Sequence, residues 1–295
     1  MKTHFPFFVV LLFTLFPIVV NGQYSRRDVR QKQPIEAINL RIIYDFHFVM
    51  DTIRKQIFED RYALEIGTNH AKFQSIFSDR VDSVWRHPYL FGVENIRRGH
   101  ASGVNPRLWM EPNQRENQDI YLWNFPTAGL LHVSNRFVVR TYVYTEEIPR
   151  IAWQIEDSTQ MILGYFAQKA TARFRGREWV VWFTPEIPHS LGPWKLSGLP
   201  GLVVQAETAD GFFRFTMIGI ETPTGEYIYR HNAPEITTTR QGILRLWRRS
   251  WEDPIGLSND HGVQMGIPVM RDGQRTWYSD PGSFSFPYRP FLELE

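Results

Sequence analysis

Alternation of apolar and polar residues dominates the chain between residues 40 and 220. The clearest run places apolar side chains at every second position, at Leu40, Ile42, Tyr44, Phe46 and Phe48. Because successive side chains of a β-strand point to opposite faces, this period of two predicts a strand with one buried face. Further runs of the same kind follow at short intervals, and together they predict a protein built mainly from β-strands.

Turn-forming residues separate these runs. Hairpin turns are predicted at 67–70, at 134–136, at Gly176 and at Asp210-Gly211. Strands joined by such short turns pair in the antiparallel sense. The predicted fold class is therefore mainly β, a β-rich α+β fold, with a strongly curved antiparallel sheet or open barrel and a few packed helices.

One segment near the C-terminus has the helical period instead. Between Arg240 and Glu252 the apolar residues share one face, and they are Ile243, Leu244, Trp247 and Trp251. Threonines at 237–239 offer an N-cap, and Pro254 cannot continue the helix. Its arginines are interpreted as a solvated face, although a basic face can also contact anionic lipid.

The N-terminus has the pattern of a secretory signal peptide. Lys2 precedes an apolar run from Phe5 to Val20. The following residues, Val20-Asn21-Gly22, are small enough for a signal-peptidase cleavage site after Gly22. The run is short for a membrane span, and two prolines interrupt it. We therefore expect a signal peptide over 1–22 and an exported mature protein over 23–295.

Composition narrows the class of protein further. The 295 residues include no cysteine and carry a formal net charge of +2. Disulfides, a lipid anchor on cysteine and a thiol nucleophile are therefore excluded, and the near-neutral charge gives no general attraction to nucleic acid. We expect one β-rich domain over 23–295, with a long loop near 92–118 and an irregular C-terminal tail.

Motifs for catalysis or cofactor binding are missing from the sequence. It contains no P-loop, no dinucleotide fingerprint, no nucleophile elbow and no paired-histidine zinc motif. No cofactor and no metal site are predicted. A hydrolase stays open as the alternative, with carboxylates or histidines assembled from distant strands and Glu186 and His189 as the first candidates.

Two clusters are candidates for contact with a ligand or partner. The first comprises Glu178, Trp179, Trp182, Thr184, Glu186 and His189, of which Trp179, Trp182, Glu186 and His189 are the candidate contacts. Its tryptophans are either core residues or the lining of a concave sheet that binds a sugar, lipid or peptide. Glu186 lies between two prolines on a stiff loop, where its carboxylate either contacts a ligand or caps a backbone amide.

The second cluster lies in the glycine- and proline-rich stretch 192–202. A structural turn is predicted there, formed by Gly198, Pro200 and Gly201, with the intervening Leu199 buried. The functional alternative is a docking loop that presents its side chains to a partner, namely Trp194, Lys195 and Leu199.

The same stretch is similar to a known family signature. Residues 198–203 read Gly-Leu-Pro-Gly-Leu-Val and resemble the naming motif of the GLPGLI family of exported Bacteroidetes proteins. Blocks that resemble those preceding the motif in that family are found at 164–165, 169–171, 175–179 and 182–188, and the likeness covers 148–220. Members often carry a cysteine shortly after the Gly-Tyr pair, where this chain has Phe166-Ala167.

The function of that family is not established, so the resemblance implies location and relatives but no mechanism. Its members accompany TonB-dependent outer-membrane uptake systems, which implies an accessory role in import. We therefore expect a non-enzymatic exported protein that binds a hydrophobic ligand or a protein partner such as an outer-membrane transporter. Its location is the periplasm, the outer membrane or the medium. A secreted hydrolase and a purely structural envelope protein are the alternatives.

Overall fold

The computed structural model describes residues 31–52, 56–79, 119–232, 234–264, 267–271, 274–282 and 290–294. The predicted signal peptide and the predicted loop near 92–118 lie outside these residues, as does part of the predicted irregular tail.

Strands account for most of the described chain. They are β1 (Gln31–Ala37), β2 (Leu40–Asp51), β3 (Gln56–Ile66), β4 (Ala71–Ser75), β5 (Ile120–Trp123), β6 (Leu130–Phe137), β7 (Arg140–Glu147), β8 (Gln154–Ile162), β9 (Tyr165–Phe174), β10 (Arg177–Thr184), β11 (Leu202–Thr208), β12 (Phe213–Glu221), β13 (Tyr227–Asn232), β14 (Glu235–Thr237), β15 (Ile267–Arg271) and β16 (Gln274–Tyr278). The helices are α1 (Arg240–Glu252) and α2 (Pro254–Asp260), with a helical turn at 76–79.

Twelve strands form one large curved sheet. Their order is β14-β7-β6-β5-β4-β3-β2-β12-β11-β10-β9-β8, and every neighbouring pair is antiparallel except β14 with β7. The sheet is open and is not a closed barrel. The predicted fold class is thus confirmed, with the single parallel pair as an addition. The remaining pairs, β1 with β13 and β15 with β16, form two small sheets.

The alternation in β2 produces the two faces of the sheet. Ile42 and Tyr44 are completely buried on the inner face, and the aromatic rings of Phe46 and Phe215 stack there at 4.2 Å. The intervening residues face outward, where Asp45 accepts a hydrogen bond of 2.8 Å from Arg61. Hydrophobic burial therefore explains both the strand and its orientation.

Three of the four predicted turns lie where the sequence placed them, at 67–70, Gly176 and Asp210-Gly211. The turn predicted at 134–136 is wrong, because β6 continues to Phe137 and the chain turns at Val138-Val139. Asn135 is 2% exposed, and its side-chain amide donates to the Asp119 carboxylate. Its polarity belongs to a buried pair rather than to a turn.

Helix α1 begins and ends at the predicted residues. The Thr239 hydroxyl accepts a hydrogen bond of 3.1 Å from the Gly242 N–H, which is the expected N-cap contact. Ile243 is buried, and Trp247 packs edge-on against Phe137 with ring centroids 5.1 Å apart. The helix therefore covers part of the inner, concave face. None of the helices in the described ranges is long and apolar enough to cross a lipid bilayer.

Candidate functional site

The loop that joins β10 to β11 folds back onto the concave face. Trp194 in this loop is 2% exposed, and its ring stacks on that of Trp179 with centroids 5.4 Å apart. The Trp153 indole donates a 2.8 Å hydrogen bond to the Ser197 carbonyl, which holds the loop from its other side. These contacts make the loop part of the hydrophobic core.

Two glycines determine the backbone conformation of this loop. Gly198 and Gly201 have φ angles of 94° and 152°, which other residues rarely adopt. A Cβ atom on Gly201 would overlap the Thr184 carbonyl and lie 2.8 Å from Pro185 Cα. This close approach carries Leu199 into the core, where it is 1% exposed as predicted, while Pro200 is exposed on the turn.

A cleft of about 80 Å³ lies between this loop, helix α1 and the segment 290–294. Most of its wall is aromatic or aliphatic, contributed by Phe46, Phe48, Tyr121, Val133, Phe213, Ile243, Leu244 and Trp247, and Trp194 lies beside them. The wall is of the concave, mainly apolar kind found in small-molecule sites, but the open space is smaller than the roughly 300–1,000 Å³ of such sites.

Two polar groups line the cleft from β6 and the residue before β5. Asn135 donates to Asp119, so its amide orientation is fixed by that contact. The Asn135 Oδ1 atom is buried and has no hydrogen-bond partner among the described residues. Burial raises the pKa of the neighbouring Tyr121 hydroxyl well above its usual value, and the charge of Asp119 raises it further. Tyr121 therefore stays protonated.

An ionic cluster borders the same cleft. Lys195 is 1% exposed, and its ammonium lies 2.7 Å from the Tyr144 hydroxyl and 2.9 Å from a carboxylate oxygen of both Glu146 and Glu293. A buried ammonium is tolerated only with such partners. Burial raises the pKa of Tyr144 strongly, and the two carboxylates add to this, so its hydroxyl is neutral.

Two arginines complete the cluster. Arg175 lies 2.7 Å from Glu146 and 3.5 Å from Glu293, and Arg240 lies 2.5 Å from Glu293. The segment 290–294 is also held through its backbone, since Arg177 Nε donates to the Phe291 carbonyl at 2.8 Å. We call Lys195, Arg175, Arg240, Glu146 and Glu293 the ionic cluster.

The first predicted cluster is divided by the structure. Trp179 is 1% exposed in the core, whereas Trp182 is half-buried and Glu186 is exposed. The Glu186 carboxylate accepts a 2.7 Å hydrogen bond from the Phe166 N–H, which is the capping role considered from the sequence. His189 is half-buried, and its backbone N–H bonds the Ile187 carbonyl.

Of the second cluster, Trp194 lines the cleft, Lys195 contacts Tyr144 and Glu293 in its wall, and Leu199 is buried in the core. The residues that sequence reasoning missed are Asp119, Asn135, Tyr144, Arg240 and Glu293. They come from five separate places in the chain, so no local motif could have identified them. Among the described residues, no group of three or more His, Asp or Glu side chains could hold a metal ion.

Comparison with known proteins gives a distant structural likeness only. No family model and no curated protein matches the chain. Among solved structures, the chain is similar to PNGF-II in its P21 and C2 crystal forms, with 12% sequence identity and TM-scores of 0.46 and 0.43. Each alignment covers 80% of this chain, which spans 35% of the length of the PNGF-II chain.

Proposed function

We propose that this protein is an exported, non-enzymatic binding protein that takes a hydrophobic ligand into the aromatic cleft. The observation that carries the proposal is the aromatic cleft with Asn135 in its wall, because the Oδ1 atom of this residue is buried and has no hydrogen-bond partner among the described residues. A buried acceptor without a donor costs about 1–3 kcal/mol. A ligand with one hydrogen-bond donor on an apolar body satisfies this acceptor while its body covers the aromatic rings.

The composition of the wall supports an apolar ligand. Phe46 stacks with Phe213 and Phe215, and these rings form one continuous surface that ends at the cleft. Aromatic side chains provide large contact areas with little loss of rotamer entropy on binding. Two of the polar groups in the wall, Asp119 and Asn135, are placed to orient the ligand.

The signal-peptide pattern and the likeness to the GLPGLI family support export to the envelope or beyond. The proposed role is accessory to outer-membrane uptake of the TonB-dependent type, with an outer-membrane transporter as the protein partner. The secreted hydrolase remains the alternative prediction. Its first candidate, Glu186, uses a carboxylate oxygen to accept the Phe166 N–H.

Binding of N-phenyl-1-naphthylamine tests the function. This probe is neutral, aromatic and carries one N–H donor, and its fluorescence rises in apolar surroundings. We expect saturable binding to the mature protein and a strong loss of binding in Leu244→Trp, because Leu244 lines the cleft and a larger side chain fills it. Arg245→Trp is the matched control, since Arg245 is the exposed neighbour on α1.

If the two tryptophan variants bind the probe equally well, the probe binds elsewhere and the cleft is not the binding site. Absence of saturable binding to the unmodified protein would contradict the function itself. Extraction of the protein purified from its own envelope, followed by mass spectrometry, then identifies the natural ligand.

A further inference from the structure

We propose that the ligand of this cleft carries a carboxylate, and that this carboxylate takes the place of Glu293 in the ionic cluster. The inference rests on the proposed binding function and adds the chemical class of the ligand, a small amphipathic carboxylate. Glu293 and Arg240 belong to both the cleft wall and the ionic cluster, and Tyr144 in the wall contacts Lys195, so a molecule in the cleft reaches the cations directly.

The charges of the cluster favour an anion at this position. Three cations, Lys195, Arg175 and Arg240, meet two carboxylates, of which only Glu146 belongs to the large sheet. Glu293 comes from the separate segment 290–294. Without it, three largely buried cations share one carboxylate. Such a surplus of buried positive charge is costly, so the position is a binding site for a carboxylate from any source.

The segment that occupies the position has the two-part chemistry expected of the ligand. Pro290, Phe291 and Leu292 line the apolar cleft, and the carboxylate of Glu293 follows directly. Apart from the three ion pairs of Glu293, the segment has few polar anchors. Arg177 bonds the Phe291 carbonyl, and the Leu294 N–H donates to the Arg175 carbonyl at 3.1 Å. Segment 290–294 therefore acts as an internal stand-in for the ligand.

Competition between this stand-in and the ligand makes the site selective. A neutral apolar molecule that displaced the segment would leave the three cations with Glu146 as their one carboxylate, whereas an apolar carboxylate restores the second. Only about 80 Å³ is open beside the segment, so a neutral probe also has to shift the segment, and it does so without replacing the Glu293 carboxylate. Charged and uncharged molecules with the same apolar body should thus respond differently when the segment is weakened.

Decanoate and decanol are a matched pair for the test, measured on the full-length mature protein by calorimetry. Glu293→Gln removes the internal carboxylate. We expect this variant to bind decanoate at least about tenfold more tightly than the unmodified protein does, with a clearly smaller gain for decanol. The melting temperature of the variant should fall, and decanoate should raise it by more than the same concentration of decanol does.

Phe291→Ala is a second variant, because it weakens the apolar contact of the segment and leaves every charge in place. It should also bind decanoate more tightly. Arg240→Gln removes one cation and should lower decanoate affinity relative to Arg248→Gln, an exposed arginine on the same helix.

The outcomes separate this inference from the function on which it rests. If Glu293→Gln and Phe291→Ala gain no affinity for decanoate while N-phenyl-1-naphthylamine still binds in the cleft, the carboxylate class is wrong and the binding function stands. Equal gains for decanoate and decanol would also overturn the inference, since the segment would then be only a steric cover. If decanoate, decanol and the naphthylamine all fail to bind, both proposals fall.

Discussion

Replacing Trp194 by alanine tests whether the glycine-rich loop is part of the core. The side chain is 2% exposed, stacks on Trp179 and lies 5.4 Å from the Phe174 ring. A buried tryptophan removes on the order of 150–250 Å² from water. At about 25 cal/mol per Å² this corresponds to roughly 4–6 kcal/mol, part of which alanine retains. Truncations of buried aromatic residues accordingly cost about 3–5 kcal/mol, and we expect a loss in this range.

Backbone strain makes a second variant informative. Trp194 has a φ of 56°, in the left-handed region that disfavours any residue with a Cβ atom. Alanine suffers the same strain as tryptophan, so the difference between them reports packing. Glycine relieves the strain by roughly 1 kcal/mol. Trp194→Gly should therefore be no less stable than Trp194→Ala, although glycine is smaller and more flexible in the unfolded chain.

Thermal unfolding measures both variants. For a domain of 150–250 residues, each kcal/mol shifts Tm by roughly 2–4 °C, so the alanine variant should melt about 6–20 °C lower. Trp182→Ala is the matched control, because Trp182 is half-buried and should lose less. A Tm for Trp194→Ala at or above that of Trp182→Ala would refute the assignment of Trp194 to the core.

Four further predictions follow from particular contacts. Gly201→Ala should lower the free energy of unfolding by more than about 1 kcal/mol in denaturant titrations, because the added Cβ would overlap the Thr184 carbonyl and alanine disfavours the positive φ at this position. A stability equal to that of the unmodified protein would contradict the described turn. Thr239→Ala should cost about 1 kcal/mol through loss of the α1 N-cap, whereas Thr239→Ser should cost little. Lys195→Met should cost about 3–5 kcal/mol, because Glu146 and Glu293 then share fewer cations, and a neutral effect would show that the cluster is solvated. Asp253 accepts hydrogen bonds from the N–H groups of Gly282 and Gly256, which lower the pKa of its carboxyl below the usual value. A depressed folded-state pKa stabilises the fold above the unfolded pKa of about 3.9, and this stabilisation is lost as the pH falls through the folded-state value. Asp253→Asn does not titrate, so the Tm difference between it and the unmodified protein should shrink over that acid range.

The fold was predictable where one physical effect dominates. Strand β2 follows from the burial of every second residue, and α1 follows from the apolar face together with its Thr239 cap. The error at 134–136 shows the limit of the method. The turn was predicted because Asn135 is a polar residue that is common in turns. Local sequence does not show that Asp119, sixteen residues earlier, is a buried hydrogen-bond partner for it. Polar residues inside a sheet can be distinguished from turn residues only when their partners are known.

The site was less predictable than the fold, because its parts are distant in sequence. Trp194 and Lys195 were singled out by their position between glycines and prolines. The partners of Lys195 are 51 residues earlier at Tyr144 and 98 residues later at Glu293, and neither lies in a recognisable motif. Sequence reasoning placed Lys195 in a structural turn, or alternatively in a docking loop that contacts a partner, and did not predict a buried ammonium. Its burial becomes possible only because two carboxylates and a hydroxyl converge on it.

Lys195 gives the glycine-rich loop both a structural role and a part in the proposed binding site. The loop carries Lys195, β7 carries Glu146, α1 carries Arg240 and the segment 290–294 carries Glu293, so one ionic cluster connects the four parts that surround the cleft. Since Gly201 fixes the course of the loop, it also fixes where the ammonium lies. A change of loop conformation must then move a cation of the proposed carboxylate site. The loop is thus a structural element that positions a cation of the proposed site, so the course of the loop and the place of this cation cannot be altered independently.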